Sequence, residues 1–100
     1  MRPRPSEALR GHEAEVLRVA ARNGATRVRV FGSVAKGSDT IDSDLDLLVD
    51  PAPRTSLFDL FRMEDELAAL LGVDVEVVSA RTASDEMLAT AIDLRPDTAA

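Results

Sequence analysis

The hydrophobic and polar positions in the first part of the chain change their period, and each change predicts a new element. Behind Ser6, a residue suited to cap a helix, apolar residues recur on one face at helical spacing. They predict a first helix that runs to about Asn23, with Gly24 suited to its C-terminal end. Residues 27–31 then alternate between polar and apolar, which predicts a half-buried strand. Residues 32–37 follow as a turn with room for one helical turn.

The second half of the chain predicts a strand, a helix, a strand and a last helix. The predicted elements are, in order, a polar loop at 38–43, a strand at 44–49, a helix from Thr55 or Ser56 to about Leu71, a strand at 73–78 and a helix capped by Thr82 or Ser84. In the longer helix, Asp59 is placed to complete a capping box with Ser56, and Gly72 is placed to end it. This order predicts the α/β (α+β) fold class, with a small mixed β-sheet flanked by helices.

Length and composition exclude several classes of protein. One hundred residues are enough for one domain and too few for two, so we predict a single domain over 1–100 with flexible ends at 1–5 and 95–100. A core of this size leaves apolar surface that a homo- or hetero-oligomer could cover. The absence of cysteine excludes disulfides and thiolate zinc sites, and a single histidine, His12, excludes a histidine-rich metal site.

Charge and hydropathy narrow the possible partners. No apolar run approaches membrane-spanning length, and the first residues lack the apolar stretch of a signal peptide. We therefore expect a cytoplasmic protein without membrane contact. The net charge of −6 argues against direct binding of nucleic acid, which requires basic patches.

Two carboxylates on the second predicted strand are candidates for metal binding. Asp44 and Asp46 are two residues apart, so they share one face of an extended strand, where they repel each other unless a cation lies between them. Hard oxygen ligands of this kind suit magnesium. An isolated Asp-x-Asp is more often a solvated strand edge. A third carboxylate could come from Asp74 or Glu76, which share a face of the last strand, and the pattern alone does not choose between them.

A glycine-serine turn lies shortly before this carboxylate pair. Gly32 permits close approach of the backbone to a phosphate, and the N–H groups at the start of the following helical turn attract anions. Ser33 adds a hydroxyl group, Lys36 adds a positive charge, and Gly37 lets the chain turn away. Such a turn followed by a strand with paired carboxylates puts phosphate and metal ligands on the same edge of one sheet.

Together these segments resemble the minimal nucleotidyltransferase (MNT) family of the DNA polymerase β-like superfamily. The resemblance is carried by Gly-Ser-Val-Ala-Lys-Gly at 32–37 and by Ser-Asp-Leu-Asp-Leu-Leu-Val at 43–49, and the matching order of elements extends it over nearly the whole chain. It implies a polymerase β-like nucleotidyltransferase fold. The residues implied in nucleotide binding are Gly32, Ser33, Lys36, Gly37 and Ser43. Those implied as catalytic and as ligands of two Mg²⁺ ions are Asp44, Asp46 and Glu76.

This chain departs from the family pattern at two positions. Glu76 lies where the family usually has Asp in a Val-Asp-Leu-Val segment, and Lys36 lies where Arg is more usual. The longer carboxylate changes the geometry of the site, and lysine keeps the charge but loses the planar fork of arginine.

The resemblance also implies an activity and a partner. Small MNT proteins are commonly antitoxins of HEPN-domain toxins, so the implied function is Mg²⁺-dependent transfer of AMP from ATP to a hydroxyl, expected on a tyrosine, of a partner HEPN-type toxin. One alternative is a catalytically weak or inactive antitoxin that neutralises its partner by binding. The departure from the family pattern at Glu76 supports this alternative. The other is an aminoglycoside-type enzyme acting on a small molecule, which normally has a further helical domain that is absent here.

Overall fold

The structure, a computed structural model, describes residues 3–96. Its elements in chain order are α1 (Pro5–Leu9), α2 (Glu13–Arg22), β1 (Ala25–Phe31), α3 (Gly32–Lys36), β2 (Leu45–Pro51), α4 (Leu57–Leu71), β3 (Val75–Ser79), α5 (Asp85–Thr90) and β4 (Ile92–Asp93). None of the helices in this part of the chain is both long and apolar enough to cross a membrane.

The four strands form one mixed sheet in the order β3-β2-β1-β4. β1 is antiparallel to both β2 and β4, whereas β2 and β3 are parallel and are connected through α4. The predicted mixed sheet flanked by helices is therefore confirmed. β1 has a neighbouring strand on each side, and the prediction of a half-buried strand is wrong at Arg29, which is only 8% exposed.

One face of the sheet carries the hydrophobic core. Leu45, Leu47 and Val49 of β2 are completely buried there. Each such burial stabilises the fold by about 1.5–3 kcal/mol. Apolar residues of the helices and of β1 complete the core, namely Val16, Val19, Ala20, Val28, Val30, Leu60, Met63, Leu67 and Leu71. This packing fixes which side chains of β2 point away from the helices.

The opposite face of the sheet holds the alternate residues of β1 and β2. Arg29 pairs with Leu48, and Phe31 pairs with Asp46, in the register of these two strands. Leu48 is fully buried, and the Arg29 guanidinium donates to Asp50 at 2.9 Å. Asp46 therefore lies on this second face, at the end of the sheet where β1 passes into α3.

The predicted first helix is divided in two. Gly11 has a φ of +84° and separates α1 from α2. A left-handed residue is incompatible with a continuous right-handed helix, and glycine adopts it without steric penalty. The helix also starts earlier than predicted, because Arg4 is the N-cap and Pro5 the first helical residue, rather than Ser6 the cap. Pro5 is buried although it was predicted in a flexible end, and residues 1–2 and 97–100 lie outside the described residues.

The second long helix matches its predicted ends. Ser56 caps α4, Asp59 completes the capping box, and Gly72 is the C-cap. Leu57 and Phe61 of this helix lie outside its buried face and are 66% and 54% exposed.

The C-terminal region also differs from the prediction. The last predicted element, a helix, ends at Thr90 and is followed by a short strand that was not predicted, in which Ile92 pairs with Val30 as part of β4. The Leu94 N–H donates to Val28 O at 2.9 Å, which continues this edge of the sheet. A two-residue strand is too short for a period-two pattern to reveal.

Candidate active site

Three carboxylates converge at one end of the second face. Asp46 on β2 is the register partner of Glu76 on β3, and Asp44 immediately precedes β2. One carboxylate oxygen from each of the three lies within 4.8 Å of the other two. Asp44 and Glu76 are exposed, whereas Asp46 is partly buried. Asp74, the other sequence candidate, is not in this group.

Gly32 lies directly against the central carboxylate of this cluster. It follows Phe31, the register partner of Asp46, and has a φ of +72°. A Cβ atom at position 32 would collide with Asp46 Oδ2 and lie 3.2 Å from Asp46 Cγ. The glycine is thus required both by the backbone conformation and by the closeness of Asp46.

The electrostatics of the cluster are those of a site short of positive charge. Burial raises the pKa of Asp46, and the negative charge of Glu76, a hydrogen bond with Glu76 and the charge of Asp44 raise it further, to about 6. A carboxylate held next to two others is stabilised when a cation joins them.

The donor set fits a hard divalent cation. Mg²⁺ prefers oxygen ligands and is commonly bound through a few carboxylates together with substrate phosphates. The three side chains offer such oxygens at the ends of two neighbouring strands, and the other face of β2 is anchored in the core by Leu45 and Leu47, which are fully buried. Asp44, Asp46 and Glu76 can therefore hold a metal ion.

The residues of the glycine-serine turn form α3, above the end of β1. Gly32 and Ser33 make up its first turn, whose N–H groups have no partner within a helix. Lys36 is exposed in its last turn, and Gly37 ends it in the left-handed conformation. The predicted phosphate-binding residues and the carboxylate cluster are thus neighbours.

Ser43 has a structural contact that the sequence did not indicate. Its hydroxyl accepts a hydrogen bond from the Thr40 N–H at 2.8 Å, and its own N–H donates to Thr40 O at 3.0 Å. Ser43 therefore closes a turn immediately before Asp44.

A cleft of about 280 Å³ adjoins the cluster between α3 and α5. Its lining consists of Phe31, Gly32, Lys36, Ser84, Glu86, Met87 and Thr90. The α5 residues were not among the predicted site residues. The sequence predicts that α5 exists, through its Ser84 cap, but no local pattern says that this short helix lies beside α3.

A larger groove of about 550 Å³ lies between α2 and α4. Glu15, Arg18, Arg22 and Glu66 give its lining mixed charges. Because these helices cover the opposite face of the sheet, the groove does not include the carboxylate cluster. The carboxylate cluster beside Gly32, rather than the volume of a cavity, therefore identifies the α3 end of the sheet as the candidate active site.

Comparison with known proteins relates the chain to one family. A family model described as a nucleotidyltransferase domain matches residues 14–96. The protein adenylyltransferase MntA of Thermococcus cleftensis is 39% identical over 70 residues, which cover 70% of this chain and 68% of that protein.

Two solved structures have folds similar to that of this chain. One described as that of a minimal nucleotidyltransferase superposes with a TM-score of 0.77 at 46% identity, covering 87% of this chain and 93% of that one. A chain from the complex of a tri-AMPylated Shewanella oneidensis HEPN toxin with its MNT antitoxin superposes with a TM-score of 0.63 at 21% identity. That match covers 84% of this chain and 69% of the other, and at this identity the likeness is one of fold.

Proposed function

Because this chain belongs to the nucleotidyltransferase domain family, we propose that it transfers AMP from ATP to a hydroxyl group of a partner HEPN-type toxin and thereby acts as its antitoxin. The observation that carries this proposal is the convergence of Asp44, Asp46 and Glu76 directly beside Gly32. This arrangement joins a metal-binding donor set to a backbone that a phosphate can approach closely.

The three carboxylates hold the metal in this proposal. Asp44 and Asp46 bind two Mg²⁺ ions, and Glu76 completes the donor set. When bound, the ions stabilise the negative charge on the entering and leaving oxygens of the transfer. The raised pKa of Asp46 supports this proposal, because burial and the neighbouring charges of Glu76 and Asp44 all disfavour its ionised form until a cation joins the cluster.

The α3 segment binds the nucleotide phosphates. The N–H groups of Gly32 and Ser33 donate to phosphate oxygens, and the Ser33 hydroxyl adds a further donor. Lys36 supplies a positive charge from the last turn, and Gly37 lets the chain leave the site. Ser43 contributes by closing the turn that leads to Asp44.

The reaction is a displacement at the α-phosphorus. The acceptor hydroxyl oxygen, expected on a tyrosine of the partner, forms a bond to this phosphorus while the bond to the bridging oxygen of the β-phosphate breaks. Pyrophosphate carries that electron pair away. Glu76 accepts the hydroxyl proton, a role open to a carboxylate at the exposed edge of the cluster.

A mass measurement on the partner tests this function. The protein is mixed with ATP, Mg²⁺ and the product of the neighbouring reading frame, and the intact mass of that product is recorded. We expect the mass of the partner to increase by one or more adenylyl groups. We expect no increase when the variant that combines Asp44→Ala with Asp46→Ala replaces the wild type. Glu15→Ala combined with Asp65→Ala is the charge-matched control, because both residues lie on helices away from the cluster.

The two alternatives give different results in the same experiment. A partner that is inhibited but keeps its original mass indicates an antitoxin that acts by binding alone. An adenylylated aminoglycoside together with an unmodified partner indicates a small-molecule enzyme. Either result contradicts the proposed transfer to the partner protein.

A further inference from the structure

A buried carboxylate outside the cluster connects the loop before β2 to the N-terminal helix. Asp39 is only 8% exposed, and its Oδ2 accepts a hydrogen bond from the Ser6 N–H at 2.9 Å. The two residues are 33 positions apart in the chain. Charged residues are rarely buried without a specific partner, and the Ser6 N–H is such a partner for Asp39.

α1, the helix whose Ser6 N–H donates to Asp39, is packed against the core. Pro5 is buried, and Leu9 belongs to the core cluster together with residues of α4 such as Leu60. The Ser6 N–H is therefore a fixed donor in a packed element. α1 precedes residues 14–96, so the contact between Asp39 and Ser6 uses a segment outside the matched family domain.

The loop held by Asp39 leads directly to a member of the carboxylate cluster. Thr40 and Ser43 close a turn through two hydrogen bonds of 2.8 and 3.0 Å. Leu45, at the start of β2, donates its N–H to Asp74 O at 2.9 Å. Asp44 lies between this turn and Leu45. Thr40 and Ser43 close the turn by hydrogen bonds with each other, whereas the adjacent Asp39 connects the loop to α1.

From this arrangement we propose that Asp39 is a positioning residue for Asp44. Its hydrogen bond with Ser6 fixes the loop 38–43 against α1 and thereby holds the Asp44 carboxylate where it can share a metal ion with Asp46. The inference rests on the metal site of the proposed function and adds a role for α1 that this function does not require. Asp39 itself touches neither metal nor nucleotide.

The charge state of Asp39 is consistent with this role. Burial raises the pKa of Asp39, but two hydrogen bonds from Ser6, a hydrogen bond from the backbone of Asp39 and the charge of Arg4 together outweigh it, and the net pKa is lowered. Asp39 is therefore an ionised acceptor at neutral pH. An ionised acceptor forms a stronger hydrogen bond than a neutral one, which suits a fixed attachment point.

Binding of Mn²⁺ alone, followed by electron paramagnetic resonance, tests the proposal without requiring turnover. We expect Asp39→Ala to weaken Mn²⁺ affinity by about fivefold, within the range found for residues that act on a site through intervening structure. Asp39→Asn keeps an acceptor for the Ser6 N–H and should stay within about twofold of the wild type. This variant separates the hydrogen bond from the charge of Asp39.

Asn23→Ala is the matched control. Asn23 is also buried, and its side chain donates to Glu66, 43 positions away, at the opposite end of the sheet. If loss of a buried long-range contact acted only by loosening the fold, Asn23→Ala and Asp39→Ala would weaken Mn²⁺ binding alike. Circular dichroism verifies that each variant is folded. Should Asp39→Ala fail to fold, Asp39→Ser, whose shorter side chain does not reach Ser6, replaces it.

The outcomes separate this inference from the function on which it rests. Unchanged Mn²⁺ affinity in folded Asp39→Ala or Asp39→Ser overturns the positioning role and leaves the metal site intact. An equal loss in Asp39→Asn and Asp39→Ala, or in Asn23→Ala, also overturns it. A wild-type protein that binds no Mn²⁺ overturns both the inference and the proposed metal site.

Discussion

Gly32 and Asp46 are in such close contact that no side chain fits between them. A Cβ atom on Gly32 would collide with Asp46 Oδ2, and Gly32 also has a φ of +72°. The glycine-serine turn and the central carboxylate of the cluster therefore form one structural unit, although they belong to different elements. Changes at either residue should affect both halves of the site.

Gly32→Ala should disrupt this unit. The alanine is strained at positive φ and displaces Asp46, so we expect both a loss of stability of about 1–3 kcal/mol and at least a tenfold loss of Mn²⁺ affinity. Urea unfolding and Mn²⁺ titration measure the two effects. Gly72→Ala is the matched control, since Gly72 has the same φ of +72° but nothing within 4 Å of its Cβ position. Equal Mn²⁺ affinities in the two variants would show that the contact with Asp46 is unimportant.

The raised pKa of Asp46 predicts a pH dependence of the metal-free protein. Its pKa is about 6 in the folded protein against 3.8 for an ordinary aspartate, so the folded state binds this proton more tightly. The resulting stabilisation is complete below pH 3.8 and is lost as the pH rises through 6. In EDTA at pH 7.5, Asp46→Asn should be more stable than the wild type by on the order of 1 kcal/mol, a figure reduced for solvent screening.

Urea unfolding at pH 4 and pH 7.5 measures this effect. The advantage of Asp46→Asn should shrink at pH 4, because the wild-type carboxyl is then largely protonated. Adding Mg²⁺ at pH 7.5 should stabilise the wild type and not the variant. A pH-independent difference between the two proteins would mean that Asp46 is not the titrating group.

Glu76→Gln tests the residue at which the chain departs from the family pattern. The variant keeps the shape of the side chain but removes its charge and its ability to accept a proton. We expect the rate of AMP transfer to fall by about a hundredfold or more. The pKa of Asp46 should also fall, because Glu76 contributes to raising it. Carbon NMR titration of the Asp46 carboxyl checks the second effect, and an unchanged pKa would contradict the geometry of the cluster.

Lys36 should act on the nucleotide rather than on the metal. It is exposed and lines the cleft between α3 and α5. Lys36→Met should raise the KM for ATP by about tenfold, as expected for the loss of one charge-assisted contact, and leave Mn²⁺ affinity unchanged. Lys36→Arg retains the charge and should restore most of the affinity for ATP. If Lys36→Met and the wild type have the same KM, Lys36 does not contact the phosphates.

The sequence predicted those parts of the fold that depend on local patterns. The family and the mixed sheet are confirmed, as are the capping box at Ser56 and the end of α4 at Gly72. Two carboxylates at a spacing of two residues predicted a shared face, and Asp44 and Asp46 do meet Glu76 there. The choice of Glu76 over Asp74 follows from strand register, which the pattern alone did not provide.

The features that the sequence did not predict depend on contacts between distant segments. Arg29 is buried on a strand that pairs with β4, and β4 is only two residues long, so no local pattern marks it. The contact between Asp39 and Ser6 joins a loop to a helix 33 positions away, and no periodicity marks either residue. The roles of Gly32, Ser33, Lys36, Gly37 and Ser43 in nucleotide binding stay predictions.

The most direct test of the central claim is the intact mass of the partner toxin after co-expression with this protein. If the carboxylate cluster transfers AMP, we expect the partner to be adenylylated when it is co-expressed with the wild type. We expect it to be unmodified when it is co-expressed with the variant that combines Asp44→Ala with Asp46→Ala. An unmodified partner that nevertheless copurifies with the wild-type protein, in a neutralised state, would contradict it.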